Sequence, residues 1–247
     1  MIDLHCHLLP GIDDGPETLE ESLELCRIAV AQGTTHAVVT PHIHSGRWSN
    51  TRASIERDRT ALQRALDEQG VALQLGFAAE VRLTDEVMGQ VERDEIPYYG
   101  EVEGYRIMLL EFPHGHIIPG SEQLVGWLLA RNIRPMIAHP ERNRQVMRDP
   151  ALIQPFVDAG CWLQVTGGSV LGQFGDRAQE VALELLEADQ VAVVASDGHN
   201  RKARPPTLRN AFIRIARDYG QARAAQLMHD MPVAIAGSQF DDLGRSA

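Results

Sequence analysis

The 247-residue chain has few cysteines and no long apolar run, and each shortage excludes a class of protein. Its three cysteines, Cys6, Cys26 and Cys161, form no Cys-x-x-Cys pair, which argues against a disulfide framework or a cysteine-built zinc site. No apolar run approaches the ~20 residues of a membrane helix, so we expect no insertion into a membrane. The start of the chain carries Asp3 where a secretory leader has basic residues. We therefore expect a cytoplasmic protein without disulfides.

Positive charge is also scarce. The formal net charge is −11, and Lys202 is the single lysine, so arginine supplies nearly all the cationic groups. The phosphates of nucleic acids repel an acidic surface, and the chain has no basic tract. We therefore expect no general affinity for nucleic acid.

Apolar, β-compatible segments alternate with amphipathic helices along the whole chain. Strands are predicted over residues 2–6, 36–40, 71–79, 105–111, 134–139, 161–166 and 190–196. Helices are predicted over residues 18–32, 52–69, 121–131, 177–188 and 207–219, the first with a capping box of Thr18 and Glu21. This alternation predicts parallel strands in one α/β domain over residues 1–247. Seven β/α units favour a barrel related to the TIM fold, and an open doubly wound sheet is the alternative.

Residue types that bind metals lie at the carboxyl ends of the predicted strands. His5 and His7 end the first strand, and because side chains alternate along a strand, both imidazoles point to the same side. The remaining candidates at strand ends are His42, Glu80, Glu111, His139, Asp197 and His199. Active sites of β/α barrels lie at this face, so the placement favours the barrel and predicts a metal site there.

The number of candidate ligands predicts more than one metal ion. Glu80 and Glu111 follow apolar stretches, and a buried carboxylate needs a partner charge such as a divalent cation. Asp14 lies in Asp13-Asp14-Gly15, which is equally well read as a plain turn. Carboxylates mixed with imidazoles suit manganese, iron or zinc. Eight or nine ligands suggest two or three divalent ions, with a metal-activated hydroxide as nucleophile.

Two arginines follow the ligand segments and indicate the substrate. Arg142 lies three residues after His139, and Arg204 lies five residues after His199. A guanidinium binds phosphate oxygens bidentately and stabilises their charge in a transition state. The pattern therefore favours a phosphate hydrolase, with a surface arginine as the alternative at each position.

The loops at the same face carry further candidates. The sequence does not show a role for His44, His114 or His116. Trp48, with Arg47 beside it, is one candidate platform for an aromatic substrate.

These motifs together resemble one known family along nearly the whole chain. They are His5-x-His7, Asp13-Asp14-Gly15-Pro16, Thr40-Pro41-His42, His139-Pro140-Glu141-Arg142 and Ser196-Asp197-Gly198-His199-Asn200. The family is that of the bacterial manganese-dependent tyrosine phosphatases of capsule and exopolysaccharide biosynthesis, within the polymerase-and-histidinol-phosphatase (PHP) superfamily. The resemblance implies a distorted, TIM-like (β/α)7 barrel with the active site at the carboxyl ends of parallel strands.

The resemblance also implies a trinuclear manganese site and a substrate. The implied sites are His5, His7, Glu80 and Asp197 for the first metal, Glu80, Glu111 and His139 for the second, and Asp14, His42 and His199 for the third. Arg142 and Arg204 match positions that bind substrate phosphate. The implied reaction is hydrolysis of phosphotyrosine on protein, and the implied partner is a bacterial tyrosine autokinase. Metal identity, oligomeric state and the physiological phosphoprotein are left open.

Several other functions compete with this interpretation. A cysteine-dependent tyrosine phosphatase is excluded, because the residues six positions after the three cysteines are Ile12, Gln32 and Gly167 rather than arginine. An amidohydrolase with a glutamate bridge stays open, although a neutral amide would not use Arg142 and Arg204. Within the superfamily, a histidinol-phosphate or other small-molecule phosphatase and an exonuclease are further alternatives. A non-catalytic binding module would have lost ligands, and none of the expected ones is missing.

Overall fold

The computed structural model describes residues 1–243 and has an α/β fold with mostly parallel strands. The domain expected over residues 1–247 extends four residues beyond this described part. Cys6, Cys26 and Cys161 are buried free thiols. Within residues 1–243, no helix is both long and apolar enough to cross a membrane.

The strands are short, and the first and last lie close to the predicted positions. They are β1 (Ile2–Cys6), β2 (His36–Val39), β3 (His42–His44), β4 (Trp48–Ser49), β5 (Gln74–Phe77), β6 (Glu80–Arg82), β7 (Glu101–Val102), β8 (Tyr105–Glu111), β9 (Ile133–Ala138), β10 (Trp162–Thr166) and β11 (Val191–Ala195).

Helices follow most of the parallel strands, as β/α units require. They are α1 (Leu19–Ala31), α2 (Arg52–Glu68), α3 (Val87–Glu92), α4 (Ser121–Leu129), α5 (Arg144–Arg148), α6 (Gln154–Asp158), α7 (Gly167–Val170), α8 (Asp176–Glu187), α9 (Arg209–Tyr219), α10 (Gln221–Ala225) and α11 (Met231–Ala236). The predicted capping box of α1 is confirmed, since the Thr18 hydroxyl accepts from Glu21 N–H and the Glu21 carboxylate accepts from Thr18 N–H.

The parallel strands form two sheets that follow the chain order. One has the order β1-β2-β5, and the other runs β11-β10-β9-β8-β6-β3, with β4 and β7 added as antiparallel edge pairs. The last strand also reaches the first: Cys6 and Gly198 form a parallel bridge, and Asp197 N–H donates to the carbonyl of His5 at 2.7 Å.

Apolar side chains converge from several strands into one inner cluster. Its strand members are Ile2, Leu4, Val38, Ile107, Leu109, Met136, Ala138, Val193 and Ala195. They include alternate residues of four strands, as expected when one face of each strand points inward. A larger cluster fills the space between the strands and the helices. Burial on both faces explains why these strands read as continuous apolar runs.

Two predicted strands are interrupted, and the interruptions relocate two candidate ligands. The strand expected over residues 36–40 ends at Val39, and Pro41, which has no N–H to donate, precedes a second short strand that starts at His42. The strand expected over residues 71–79 is likewise split, and Glu80 begins β6. The expectation that His42 and Glu80 end their strands was therefore wrong. Both begin short strands that continue past the break, and they are register partners.

Candidate metal centre

The structure brings all nine predicted metal ligands into one cluster. Three groups have donor atoms within 4.8 Å of one another: His5, His7, Glu80 and Asp197; His7, Asp14, His42 and His199; and His42, Glu80 and Glu111. His139 lies beside the last group, because its Nε2 is 2.8 Å from Glu80 Oε1 and 3.9 Å from Glu111 Oε1. The first group equals the implied first site, and the second contains the implied third site with His7 added. The last group shares Glu80 and Glu111 with the implied second site but has His42 in place of His139.

Glu80 lies at the middle of the cluster. Its Oε2 is 3.2 Å from Nε2 of both His5 and His7 and 3.1 Å from Nδ1 of His42. Burial alone would raise the pKa of Glu80, but the imidazoles of His5 and His42 outweigh it and hold that pKa well below the usual range. The Glu80 carboxylate therefore lies next to residues of all three ligand groups, which is the position that a bridging ligand requires.

Three of the histidines are held by a hydrogen bond at the ring nitrogen that points away from the cluster. His5 Nδ1 lies 2.8 Å from Gln164 Oε1, and His7 Nδ1 lies 2.7 Å from Asp13 Oδ2. His199 Nδ1 donates to the backbone carbonyl of Asp197 at 2.8 Å. Each bond places the proton on Nδ1 and leaves the Nε2 lone pair facing the cluster, which is the usual support of a metal-binding histidine.

The two neighbouring aspartates of the Asp-Asp-Gly turn have different positions. Asp13 accepts hydrogen bonds from the His7 ring, from His42 N–H at 3.1 Å and from Gly15 N–H at 2.9 Å. Asp14 Oδ1 instead lies 3.3 Å from His42 Nε2 and 3.4 Å from Nε2 of His199. The geometry therefore favours Asp14 as a ligand and Asp13 as a support for His7.

Both predicted arginines reach the edge of the cluster. Arg142 forms an ion pair with Asp197 Oδ2, and Arg204 Nη1 lies 3.7 Å from the same oxygen. Arg142 is placed by a short 3-10 helix, Pro140–Arg142, in which the buried Glu141 carboxylate accepts from Thr166 N–H and the Ser169 hydroxyl.

The loop after β11 folds back on itself, and this brings Arg204 to the cluster. Asn200 Oδ1 accepts from the backbone N–H groups of Lys202, Ala203 and Arg204. His199 N–H donates to the carbonyl of Arg204 at 2.7 Å. The final residue of the Ser-Asp-Gly-His-Asn motif is therefore explained by loop geometry.

The sequence leaves open whether Asp13 or Asp14 is the ligand, and it does not reveal the roles of Gln164 and Arg82. Gln164 on β10 supports His5 and also accepts from His139 N–H, across long stretches of chain that no local pattern reveals. Arg82 Nη1 lies 2.7 Å from Glu111 Oε2. Its position two residues after Glu80 on the same strand was a usable signal, because such residues share a face.

The histidines left unassigned lie at the margin of the centre. His114 Nε2 is 3.9 Å from Glu111 Oε1, with a largely exposed side chain. The ring of His44 contacts Trp48 edge-on rather than the ligand groups. His116 is exposed in the loop after β8.

The polar atoms of this centre are those that divalent cations would satisfy. Glu80, Glu111 and Asp197 are each about 1% exposed. Within residues 1–243, the buried atoms Glu80 Oε2, Asp197 Oδ1 and His199 Nε2 make no hydrogen bond of acceptable geometry. Buried carboxylates without such partners are costly, whereas a cation among them would accept electron pairs from all three residues. The residues therefore fit divalent metal ions.

The pKa shifts at the centre also fit bound divalent cations. Burial and the charge of Glu80 raise the pKa of Glu111 to about 7, because two neighbouring buried carboxylates disfavour each other's ionisation. Burial and the nearby Arg142 lower the pKa of His139 to about 4, which keeps that imidazole neutral and able to bind a metal. His139 and Asp197 also have positive φ angles of 31° and 51°, a conformation uncommon outside glycine and frequent at functional sites.

Comparisons with known proteins agree on one family. A model of the family described as capsular polysaccharide synthesis, CpsB/CapC, matches residues 1–236. The tyrosine-protein phosphatase YwqE of Bacillus subtilis (strain 168) is 34% identical over 220 residues, covering 89% of this chain and 85% of that protein.

Solved structures extend this similarity to three dimensions. A chain from the crystal structures of YwqE from Bacillus subtilis and CpsB from Streptococcus pneumoniae, described as unique metal-dependent tyrosine phosphatases, matches with a TM-score of 0.88 and 32% identity. That match covers 95% of this chain and 94% of the other. A mutant organophosphorus hydrolase from Deinococcus radiodurans matches with a TM-score of 0.57 at 13% identity, covering 96% of this chain and 92% of that chain, which shows the fold alone.

Proposed function

The chain belongs to the CpsB/CapC family of capsular polysaccharide synthesis, and on this premise we propose that it is a metal-dependent protein-tyrosine phosphatase. The family predicted from the motifs is thereby confirmed. The observation that carries the proposal is the convergence of five histidines and four carboxylates, with Arg142 and Arg204 at the edge of the same cluster.

We propose the metal ligands in the grouping that the motifs imply. The first metal is held by His5, His7, Glu80 and Asp197, the second by Glu80, Glu111 and His139, and the third by Asp14, His42 and His199. Manganese is our choice of metal, with iron and zinc compatible with the same donors. When bound, such ions lower the pKa of water and stabilise charge on phosphoryl oxygens.

The side chains of the protein then have separate tasks. Arg142 and Arg204 bind the phosphate oxygens and neutralise the charge that develops as the phosphorus–oxygen bond to the tyrosine breaks. Gln164 and Asp13 hold His5 and His7 in the tautomer that leaves Nε2 facing inward. The products are tyrosine on the protein and inorganic phosphate.

Local charge explains how an acidic protein attracts a phosphate. The chain as a whole carries −11, but Arg82, Arg142 and Arg204 all reach the centre. Bound divalent ions would add to this positive potential, and such local charges dominate in a partly closed site. A cavity of about 670 Å³ beside His199, lined in part by Glu17, Arg201 and Lys202, offers space for the polypeptide around the phosphotyrosine.

We further propose that one domain, residues 1–247, closes as a distorted seven-stranded barrel. Counting β2 with β3 and β5 with β6 as single interrupted strands leaves seven parallel strands. The bridge between Cys6 and Gly198 and the bond from His7 N–H to the Gly198 carbonyl, at 2.8 Å, support closure between the last strand and the first. The apolar cluster shared by the inner faces of the strands supports it as well.

We propose a bacterial tyrosine autokinase of polysaccharide synthesis as the physiological substrate. The link to capsular polysaccharide in the family description supports this choice. A phosphorylated tyrosine on a flexible segment would reach the centre more easily than one in a folded domain.

The test is phosphate release by metal-stripped protein reconstituted with Mn²⁺, comparing a phosphotyrosine peptide, a phosphoserine peptide and histidinol phosphate. We expect Mn²⁺-dependent release with a preference for phosphotyrosine. A preference for histidinol phosphate would keep the metal centre but replace the proposed substrate. No release from any of the three, with Mn²⁺, Fe²⁺ or Zn²⁺, would contradict the proposed phosphatase and favour the amidohydrolase alternative.

A further inference from the structure

The hairpin of β3 and β4 places an aromatic ring against one candidate ligand. The two strands pair in antiparallel register, with His44 opposite Trp48. The turn brings the Trp48 indole nearly parallel to the His42 imidazole, with an angle of 6° and 4.7 Å between ring centroids. The stacked imidazole pairs of the centre, His7 with His199 and His5 with His139, are tilted by 24° and 28°.

His42 also differs from neighbouring histidines in how its ring is held. His5, His7 and His199 each have one ring nitrogen hydrogen-bonded to an atom that is not a candidate metal-binding atom, namely Gln164 Oε1, Asp13 Oδ2 and the backbone carbonyl oxygen of Asp197. Both ring nitrogens of His42 instead face carboxylates of the centre, with Nδ1 3.1 Å from Glu80 Oε2 and Nε2 3.3 Å from Asp14 Oδ1. Among residues 1–243, no hydrogen bond from outside the ligand groups fixes the plane of this ring.

We infer that Trp48 is a positioning residue, which holds the His42 imidazole in the plane needed to bind a metal ion. The inference rests on the proposed function, because it assumes that His42 is a ligand. A parallel indole restrains rotation of the imidazole about its bond to Cβ and leaves both ring nitrogens exposed to the centre. It thus takes the place of the hydrogen bond that supports each of His5, His7 and His199.

The surroundings of Trp48 favour this role over a wall for the substrate. The Arg47 guanidinium lies 4.0 Å from the centroid of the indole ring, so the half-buried indole already contacts a cation as well as the imidazole. The backbone of His42 is also anchored, since its N–H donates to Asp13 and its carbonyl accepts from Asn50 Nδ2 at 2.9 Å. Only the ring orientation is left for Trp48 to fix.

The experiment compares three variants of the full chain. Trp48→Leu removes the stack, and Trp48→Phe keeps an aromatic face. Trp127→Leu is the matched control, because Trp127 is also half-buried and stacked by an arginine, Arg131 at 3.8 Å, but lies on α4. Each protein is stripped with a chelator and titrated with Mn²⁺, and bound ions are counted from the electron paramagnetic resonance signal of free Mn²⁺. Thermal unfolding is recorded in EDTA, and KM and kcat are measured with a phosphotyrosine peptide.

We expect Trp48→Leu to lose roughly 10–100-fold of the affinity for one Mn²⁺ ion, the effect typical of removing a support of a metal ligand. Trp48→Phe and Trp127→Leu should bind Mn²⁺ like the wild type, and Trp48→Leu should unfold in EDTA at the same temperature as Trp127→Leu.

Three results would overturn the inference. Wild-type Mn²⁺ affinity in Trp48→Leu with a raised KM would make Trp48 a substrate contact. Loss of every bound ion together with a lower unfolding temperature in EDTA would make its role structural. Failure of the wild type to bind Mn²⁺, Fe²⁺ or Zn²⁺ would refute the metal centre itself. This result concerns the wild type, so it is distinguishable from the first two results, which concern Trp48→Leu.

Discussion

Single side chains of the centre differ in what supports them, and this determines what each substitution should do. His5, His7 and His199 are supported by hydrogen bonds, and His42 by a stacked ring. Arg142 contacts both Asp197 and the ring of Phe174, so it lies at a defined place beside the ligand groups. An arginine fixed in this way is preorganised for a phosphate oxygen.

We predict that Arg142→Ala lowers kcat/KM for a phosphotyrosine peptide by about 10²–10³-fold, the usual cost of losing one group that stabilises transition-state charge. Bound Mn²⁺ should stay at the wild-type number, because Arg142 is not among the proposed ligands. Steady-state kinetics measure the loss of kcat/KM, and metal analysis measures the number of bound Mn²⁺ ions. Arg131→Ala, which removes an arginine stacked on Trp127 away from the centre, is the control. Wild-type kinetics in Arg142→Ala would show that it does not touch the phosphate.

The protonation of Glu111 predicts a pH dependence of metal binding. Its pKa in the metal-free protein is raised from the ordinary value of 4.5 to about 7, and a metal ion requires the deprotonated carboxylate. Mn²⁺ affinity should therefore fall as the pH drops below about 7. Because the folded state holds this proton between pH 4.5 and about 7 and the unfolded state does not, this group makes the metal-free protein less stable as pH rises through that window.

Calorimetry in buffers of different ionisation enthalpy checks this prediction. At pH 6, Glu111→Gln should release about one proton fewer than the wild type when Mn²⁺ binds. Protons from His5 and His7, whose pKa values are raised by neighbouring carboxylates, should still be released. Equal proton release in both proteins would contradict the raised pKa of Glu111.

The residues that we propose as ligands could be selected from the sequence one by one, but the residues that support them could not. Most of these residues lie directly beside an apolar strand segment, so a residue type that binds metals and a recognisable strand pattern occur together in the sequence. Gln164 is an ordinary polar residue within a strand, and its partner His5 lies 159 positions away. Its role exists only once β1, β9 and β10 are assembled.

At the scale of elements, the sequence predicted which strands exist better than where they break. β8 was predicted to the residue, since Tyr105–Glu111 contains the apolar run of residues 107–110 and ends in a carboxylate. The runs that contain His42 and Glu80 are equally apolar, yet both are interrupted. The break at Pro41 has a local cause, because proline has no N–H to donate. At the break before Glu80, the Glu80 N–H donates to the carbonyls of Thr40 and Pro41, which lie between β2 and β3, so this break involves a distant part of the chain.

The loop after β11 packs so closely against Gly198 that adding one methyl group there should destabilise the protein. A Cβ on Gly198 would lie 2.6 Å from Cα of Pro206, which is too close for any side chain. This close neighbour belongs to the returning loop that carries Arg204. We predict that Gly198→Ala displaces Asp197 and His199 and costs about 1–3 kcal/mol of unfolding free energy.

Chemical denaturation in EDTA and Mn²⁺ titration together measure this effect. Gly115→Ala is the matched control, because a Cβ at Gly115 meets no atom within 4 Å. Unchanged stability and unchanged Mn²⁺ binding in Gly198→Ala would contradict the prediction, because the loop would then have moved to make room for the methyl group without displacing Asp197 and His199.

On the scale of the whole molecule, the acidic balance and the metal centre are connected. The net charge of −11 includes three buried carboxylates that face one another, and bound cations would offset the cost of placing these charges together. The family, the α/β class and the metal chemistry all followed from the sequence, because one set of strand-end motifs carries all three. Closure of the barrel is a proposal, because periodicity does not record the contacts between the first and last strands on which closure would depend.

Removal of metal should therefore destabilise the entire fold. Ligand binding to the native state alone adds about 2.7 kcal/mol per site at 100 times the Kd. For a chain of this size, that corresponds to a rise in the unfolding midpoint of roughly 5–10 °C per site. We predict a midpoint that rises with Mn²⁺ concentration and falls on adding EDTA, because the ions join β1, β3, β6, β8, β9 and β11 through their ligands.

Differential scanning calorimetry of the wild type, Glu80→Gln and Glu180→Gln tests this coupling. Glu80 faces four imidazoles, so its loss should remove most of the Mn²⁺-dependent rise, while the exposed Glu180 on α8 should not matter. A midpoint that is the same in Mn²⁺ and EDTA would contradict the idea that cations hold the strand ends together. If Glu80→Gln instead unfolds at a higher temperature than the wild type in EDTA, repulsion among buried carboxylates is the cost that metal binding relieves.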